Sequence, residues 1–129
     1  MRNTLILIFL FVIIGCTNNK RSSEVAVKAC EAYKIADFTA LKTVSSENFA
    51  LTILSRNEDR FKSKGEEWVK SVIDITSAID CSIKSASFED KLDSMTFTFM
   101  SSDRKEGVIF VLKDKKGKWL VTNLQKIRH

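Results

Sequence analysis

The chain has 129 residues, 44% of them hydrophobic, with a formal net charge of +5. Nine Phe and two Trp are enough core-forming residues to exclude disorder caused by low hydrophobicity, and the length predicts one domain. The modest positive charge is spread along the chain, as on an ordinary solvated surface.

The N-terminal segment has the pattern of a secretion signal. Met1 and Arg2 precede an unbroken apolar run at 5–14, and the chain turns polar after Cys16. The run is too short for a transmembrane anchor, since a helix needs about 20 apolar residues to cross a bilayer. An ordinary signal peptide would have small residues at both positions −1 and −3 of the cut, whereas position −3 is Ile13.

The ending Ile13-Ile14-Gly15-Cys16 resembles the lipobox of bacterial lipoproteins. The resemblance implies cleavage before Cys16 and acylation of its thiol, which would anchor the protein in the membrane of the cell envelope. Because Thr17 and not Asp follows the cysteine, it also implies the outer membrane, facing the periplasm, if the host has two membranes. A nucleic-acid partner is not expected for an exported protein. The net positive charge would instead favour contact with anionic lipid, glycan or protein surfaces.

The expected organisation is therefore a signal peptide at 1–15, a lipidated cysteine with a polar tether at 16–23, and a single domain at 24–129. The first predicted helix covers 24–36, with Ser23 as its N-cap. Asp37 then caps a short second helix lined by Phe38, Leu41 and Val44.

The next segments leave alternatives open. Residues 49–54 can form either a helical turn or a buried strand. A longer helix is expected within 57–79. Because residues 63–66 have the spacing of a capping box, the alternative is a short helix followed by a second start near Lys64.

The hydrophobic period changes from helical to alternating after Cys81. We expect a bulged strand at 83–88, a second strand through Met95 to Phe99, a central strand at 108–112 covered on both faces, and a return strand at 119–124 after a turn at Gly117. Helices followed by strands predict an α+β fold, with the N-terminal helices packed on a curved antiparallel sheet of about four strands.

Residues 29–38 and 110–121 resemble corresponding segments of small bacterial NTF2-like lipoproteins of the DUF4878 type. The resemblance extends over about 24–126. It implies a curved sheet wrapped around a long helix, in the cone shape shared with cystatin-like folds, with a pocket inside. It implies no particular activity.

Residues for metal binding or nucleophilic catalysis are scarce. The only histidine is His129, the last residue, and no metal-ligand spacing surrounds Cys30 or Cys81. We therefore predict no catalytic residues, no metal and no cofactor. The remaining enzymatic arrangement would pair Asp37 as a base with Tyr33 as a hydrogen-bond donor; a core-facing tyrosine and an N-capping aspartate are the preferred interpretation.

Once Cys16 is acylated, Cys30 and Cys81 remain. In an oxidising compartment they can form a disulfide, and two buried free thiols are the alternative. A basic group near the last hairpin is interpreted as solvated protection of the sheet edge; it comprises Lys113, Lys115, Lys116, Lys118, Lys126 and Arg128.

These features predict a non-enzymatic envelope lipoprotein that binds a protein or a small apolar ligand through its concave sheet. The alternative is an inhibitor or immunity protein that occupies the cleft of an envelope-targeted enzyme.

Overall fold

A computed structural model describes residues 20–129. The predicted signal peptide at 1–15, Cys16 and residues 17–19 lie outside the described residues. Within 20–129, no helix combines the length and the apolar character needed to cross a membrane.

Helices fill the first half of the described chain. A three-residue helix passes through a π-helical segment, Ala50–Leu54, directly into the next α-helix. The α-helices are α1 (20–34), α2 (Phe38–Thr43), α3 (Glu47–Phe49), α4 (Ser55–Ser63) and α5 (Glu66–Thr76).

The predicted start of the first helix is wrong. Residues 20–23 are already helical, so Ser23 is not an N-cap and this part of the expected tether belongs to α1. Ser22 is fully buried. A polar composition suggested a tether, but lysine and arginine have high helix propensity and need no cap to continue a helix.

Helix α1 ends as a left-handed C-terminal turn. Ala36 has φ 56°, and the Asp37 amide donates a hydrogen bond to the Ala32 carbonyl at 2.9 Å, as in a Schellman motif. Asp37 then caps α2, because its Oδ1 accepts a hydrogen bond from the Ala40 amide at 3.0 Å. The predicted role of Asp37 as an N-cap is confirmed.

Residues 57–79 do not form one long helix. Lys64 and Gly65 have extended backbone conformations between α4 and α5, so the alternative of two helices is confirmed. Residues 49–54 are helical, but with a π-helical step instead of an ordinary turn.

Four antiparallel strands follow, in the order β1-β2-β3-β4. They are β1 (Ser87–Lys91), β2 (Ser94–Met100), β3 (Glu106–Lys115) and β4 (Lys118–Arg128). The helices pack on this curved sheet, as predicted for the α+β fold. Lys116 and Gly117 both have positive φ, 57° and 82°, which matches a type I′ turn between β3 and β4.

Two strand predictions are wrong in detail. Residues Ile83–Ser85 form a 3-10 turn, and the first strand begins only at Ser87. In β3, Val108, Phe110 and Leu112 are fully buried, whereas Ile109 and Val111 on the opposite face are only half-buried. The strand is therefore fully covered on one face, where the helices lie.

The core occupies the inner face of β2 and β3. Phe97, Phe99 and Phe110 are fully buried there. Cys30 of α1 is joined to Cys81 in a disulfide with a Cα–Cα distance of 5.6 Å. The bridge connects α1 to the segment that leads from α5 into the sheet.

Candidate ligand-binding site

A cavity of about 530 Å³ lies between the helices and the C-terminal half of β4. It is bounded by the end of α1, by α2, α4 and α5, and by alternate residues of β4. Its volume falls within the range of about 300–1,000 Å³ that is usual for small-molecule sites.

A bulge in β4 determines which residues of that strand face the cavity. Leu112 of β3 pairs with Val121, whereas Val111 pairs with Asn123, so Thr122 is an extra residue. Beyond the bulge, inward-facing positions of β3 pair with Leu124, Lys126 and Arg128. Without the extra residue the strand would alternate in the opposite sense, and these three side chains would point away.

The π-helical segment Ala50–Leu54 likewise determines which residues of the helical layer face the cavity. Phe49 and Leu54 are five residues apart and both are buried, while Leu51 and Ile53 are 67% and 40% exposed. The wider turn thus brings Leu54 to the inside. Asn57, Arg60 and Phe61 follow on the same face of α4 and line the cavity.

Two contacts hold the helices around the cavity. Lys42 of α2 forms an ion pair with Glu58 of α4 at 2.9 Å. Thr76 of α5 donates a hydrogen bond from Oγ1 to the Lys34 carbonyl at 2.8 Å. This bond satisfies one of the backbone carbonyls that have no partner within the helix at the C-terminal end of α1. Both contacts fix the relative positions of the elements that supply the lining.

The wall of the cavity is apolar and rich in aromatic rings. Phe61 packs edge-on against Phe38 and against Trp68, with centroid distances of 5.2 Å in both pairs. Leu41 and Leu54 are buried at 3% and 1% exposure and form the floor. Trp68, at 40% exposure, is the most exposed ring of this wall.

Cations lie at the mouth. The cavity lining includes Arg60, Lys126 and Arg128, and all three residues remain accessible to solvent. Partial burial lowers the pKa of Lys126, and the positive charges of Arg128 and Arg60 lower it further. Lys126 therefore lies close enough to both arginines to be repelled by them.

The predicted basic group at the last hairpin is divided by the structure. Lys115, Lys116 and Lys118 surround the β3–β4 turn. Lys126 and Arg128 lie at the opposite end of an 11-residue strand, about 30 Å away at roughly 3.3 Å per residue. Lys126 and Arg128 also line the cavity, a position that the interpretation of the group as edge protection did not include.

Tyr33 and Asp37 both line the cavity. The Tyr33 ring packs edge-on against Phe110 at 6.2 Å. Burial raises the pKa of Tyr33 to about 12, an effect that the Arg128 charge opposes and the Glu106 charge supports. The phenol therefore stays protonated at neutral pH and can donate a hydrogen bond, while one carboxylate oxygen of Asp37 is engaged by the Ala40 amide.

The remaining predicted site residues lie elsewhere. Cys30 and Cys81 are bridged away from the cavity lining, and the His129 amide donates to the Lys105 carbonyl at 2.8 Å. Over residues 20–129, no three His, Cys, Asp or Glu side chains converge as metal ligands would.

Sequence reasoning missed Asn57 and Arg60 entirely. It also did not place Lys126 at a site, although Leu124, Lys126 and Arg128 alternate as residues on one face of a strand do. That spacing was the available signal. The bulge that turns this face inward cannot be predicted from the composition of the segment.

Comparison with known proteins adds no family assignment. No protein-family model matches the chain, and neither a curated protein nor a solved structure matches it.

Proposed function

We propose that this chain is a non-enzymatic binding module that holds a small apolar ligand in the cavity between its helices and β4. The principal support is the cavity itself: about 530 Å³ lined by aromatic and aliphatic side chains. A well-formed, mostly apolar cavity of this size with a few polar groups is the usual form of a small-molecule site.

The polar groups at the site favour binding over catalysis. The Tyr33 phenol, whose pKa burial raises to about 12, stays a hydrogen-bond donor at neutral pH and can hold a ligand without any proton transfer. Asp37 already accepts a hydrogen bond as the cap of α2. A cavity enclosed by helices and the inner face of an antiparallel sheet is also the feature that the NTF2-like resemblance implies.

Photolabelling tests the binding module. The 129-residue chain is placed in phosphatidylcholine nanodiscs and irradiated with an alkyl diazirine that has no charged head. We expect labels on peptides of α4, α5 and the end of β4. Val72 of α5 lines the cavity, so Val72→Phe should fill it. The part of the labelling that an excess of unlabelled alkane suppresses should then be lost.

Val69→Phe is the matched control. Val69 lies one helical turn before Val72 but lines a shallow outer groove formed with Phe61 and Ile73. Labelling should persist in this variant. Competable labelling that is equal in both variants, or absent from the unmodified chain, would contradict the proposal.

The location of the module is a second part of the proposal. The lipobox resemblance at Cys16 supports an anchor in the cell envelope, on the periplasmic face of the outer membrane in a host with two membranes. Cys16→Ala should abolish palmitate incorporation and leave the precursor uncut. Normal incorporation of labelled palmitate in this variant would show that the anchor is elsewhere.

A further inference from the structure

The mouth of the cavity contains an excess of positive charge. Among the described residues, three cations, Arg60, Lys126 and Arg128, line the cavity together with one carboxylate, that of Asp37. Glu106 Oε2 lies 3.6 Å from Arg128 Nε, so this arginine is already paired. Arg60 and Lys126 form no ion pair with any residue of 20–129.

Two neutral donors are available beside these cations. The Tyr33 hydroxyl and the Asn57 side-chain amide line the cavity, and neither is hydrogen-bonded to another group within the described part of the chain. A neutral phenol, an amide, a guanidinium and an ammonium can all donate hydrogen bonds, so each can contribute a donor to an anionic group bound in the cavity.

The cations and the apolar wall belong to one continuous surface. Along β4, Leu124 pairs with the fully buried Phe110, Lys126 with Val108, and Arg128 with the strand end at Glu106. Polarity therefore increases from the floor of the cavity to its mouth. A ligand that fits this gradient has an apolar tail and an anionic head.

We propose that the cavity binds a single-chain fatty carboxylate, with its tail against Phe61, Trp68 and Leu54 and its carboxylate between Arg60 and Lys126. This inference rests on the proposed function. The excess of one positive charge at the mouth matches a carboxylate, which carries one negative charge at neutral pH. A phosphate monoester carries about −1.5 to −2 and would be only partly neutralised.

The test compares three diazirine probes with the same alkyl tail: dodecanoate, dodecanol and dodecyl phosphate. Each labels the 129-residue chain in phosphatidylcholine nanodiscs, and the corresponding unlabelled amphiphile competes. The probes differ in how strongly they partition into the lipid. Because all variants are measured in identical nanodiscs, this difference does not affect the comparison between variants. We expect Lys126→Met, which retains the apolar stem, to weaken competition by dodecanoate at least about tenfold.

Arg60→Gln should weaken dodecanoate competition by a similar factor, while dodecanol competition stays unchanged in both variants. Lys113→Met is the matched control, because Lys113 is exposed on β3 and does not line the cavity. Lys113→Met should change competition by neither dodecanoate nor dodecanol.

The outcomes separate the two proposals. If dodecanoate and dodecanol respond equally to Lys126→Met and Arg60→Gln, the carboxylate site is wrong and the apolar binding module stands. If dodecyl phosphate competes more strongly than dodecanoate, the proposal that the ligand has a singly charged head group is wrong. If no probe labels the cavity in a competable way, the proposed function fails as well.

Discussion

The inner face of the sheet has two halves that differ sharply in packing. In the closed half, Phe97, Phe99 and Phe110 fill the space beneath β2 and β3 and are fully buried. In the open half, beyond Thr122 of β4, the same face borders a cavity and ends in Lys126 and Arg128. One sheet thus provides both a close-packed core and one wall of the cavity.

The difference depends on two backbone irregularities. The bulge at Thr122 turns Leu124, Lys126 and Arg128 inward, and the π-helical segment Ala50–Leu54 aligns Asn57 and Arg60 with the same cavity. Each irregularity adds one residue to a regular pattern. Since such insertions disturb regular hydrogen bonding, they are often found at functional sites.

Truncating one aromatic residue in each half measures the difference directly. Phe99→Ala removes a fully buried ring from the closed half, and we expect the free energy of unfolding to fall by about 3–5 kcal/mol. Phe61→Ala removes a half-buried ring from the cavity wall and should cost only about 1 kcal/mol. Urea unfolding of both variants gives the values; equal losses would mean that the two halves are equally packed.

The disulfide should stabilise the closed half. Cys30 and Cys81 are buried and 51 residues apart, so the chain-entropy model predicts about 4 kcal/mol of stabilisation. We expect the Cys30→Ala/Cys81→Ala double variant to lose about this amount without loss of the cavity.

Mass spectrometry of the protein isolated from its host under non-reducing conditions tests whether the bridge forms. No alkylation of Cys30 or Cys81 is expected before reduction. Two alkylatable thiols in the native, oxidised protein would show that they are ordinary core cysteines.

Tyr33 lies at the boundary between the halves and can be titrated without interference, because it is the only tyrosine. Tyrosinate absorbance should show a midpoint near 12 in the folded protein, raised from 10.0 by burial. The neutral phenol is favoured by folding, so this contribution to stability is complete below pH 10 and is lost as the pH rises towards 12.

The same chain unfolded in guanidinium chloride is the control and should titrate near the ordinary tyrosine value. A folded-state midpoint equal to the unfolded one would mean that the Tyr33 hydroxyl is freely hydrated, and that the boundary is more open than described.

The smallest expected effect is at Ala36, at the edge of the open half. Ala36 has φ 56°, a left-handed conformation that costs alanine about 1–2 kcal/mol and glycine little. Ala36→Gly should therefore raise the free energy of unfolding by about 0.5–1 kcal/mol. Ala29→Gly, within α1, is the control and should lower it; destabilisation by both substitutions would argue against the left-handed end of α1.

Much of the fold follows from local sequence signals. The alternation of Met95, Phe97 and Phe99 predicts β2 and its inner face, Gly117 predicts the last turn, and Asp37 predicts the cap of α2. Each signal depends on a periodicity or on a residue with a special backbone preference, and these are properties of short segments.

The candidate site was much less predictable for a physical reason. Neither Ala50–Leu54 nor the segment around Thr122 contains a glycine that would indicate an irregular backbone. The extra residue in each is stabilised by tertiary contacts: the Val121 amide donates to the Val44 carbonyl at 2.9 Å, and Leu54 is buried against the core. Sequence patterns therefore locate the elements but not the small rotations that direct Arg60 and Lys126 to one cavity.

Native mass spectrometry tests most directly whether the open half holds a small molecule. The protein is purified without denaturation from its host and measured beside Val72→Phe and the control Val69→Phe. We predict that the unmodified chain and Val69→Phe carry an additional small-molecule mass that Val72→Phe lacks. An unmodified chain without added mass, or an added mass that is equal in Val72→Phe, would contradict the assignment of the cavity as a ligand site.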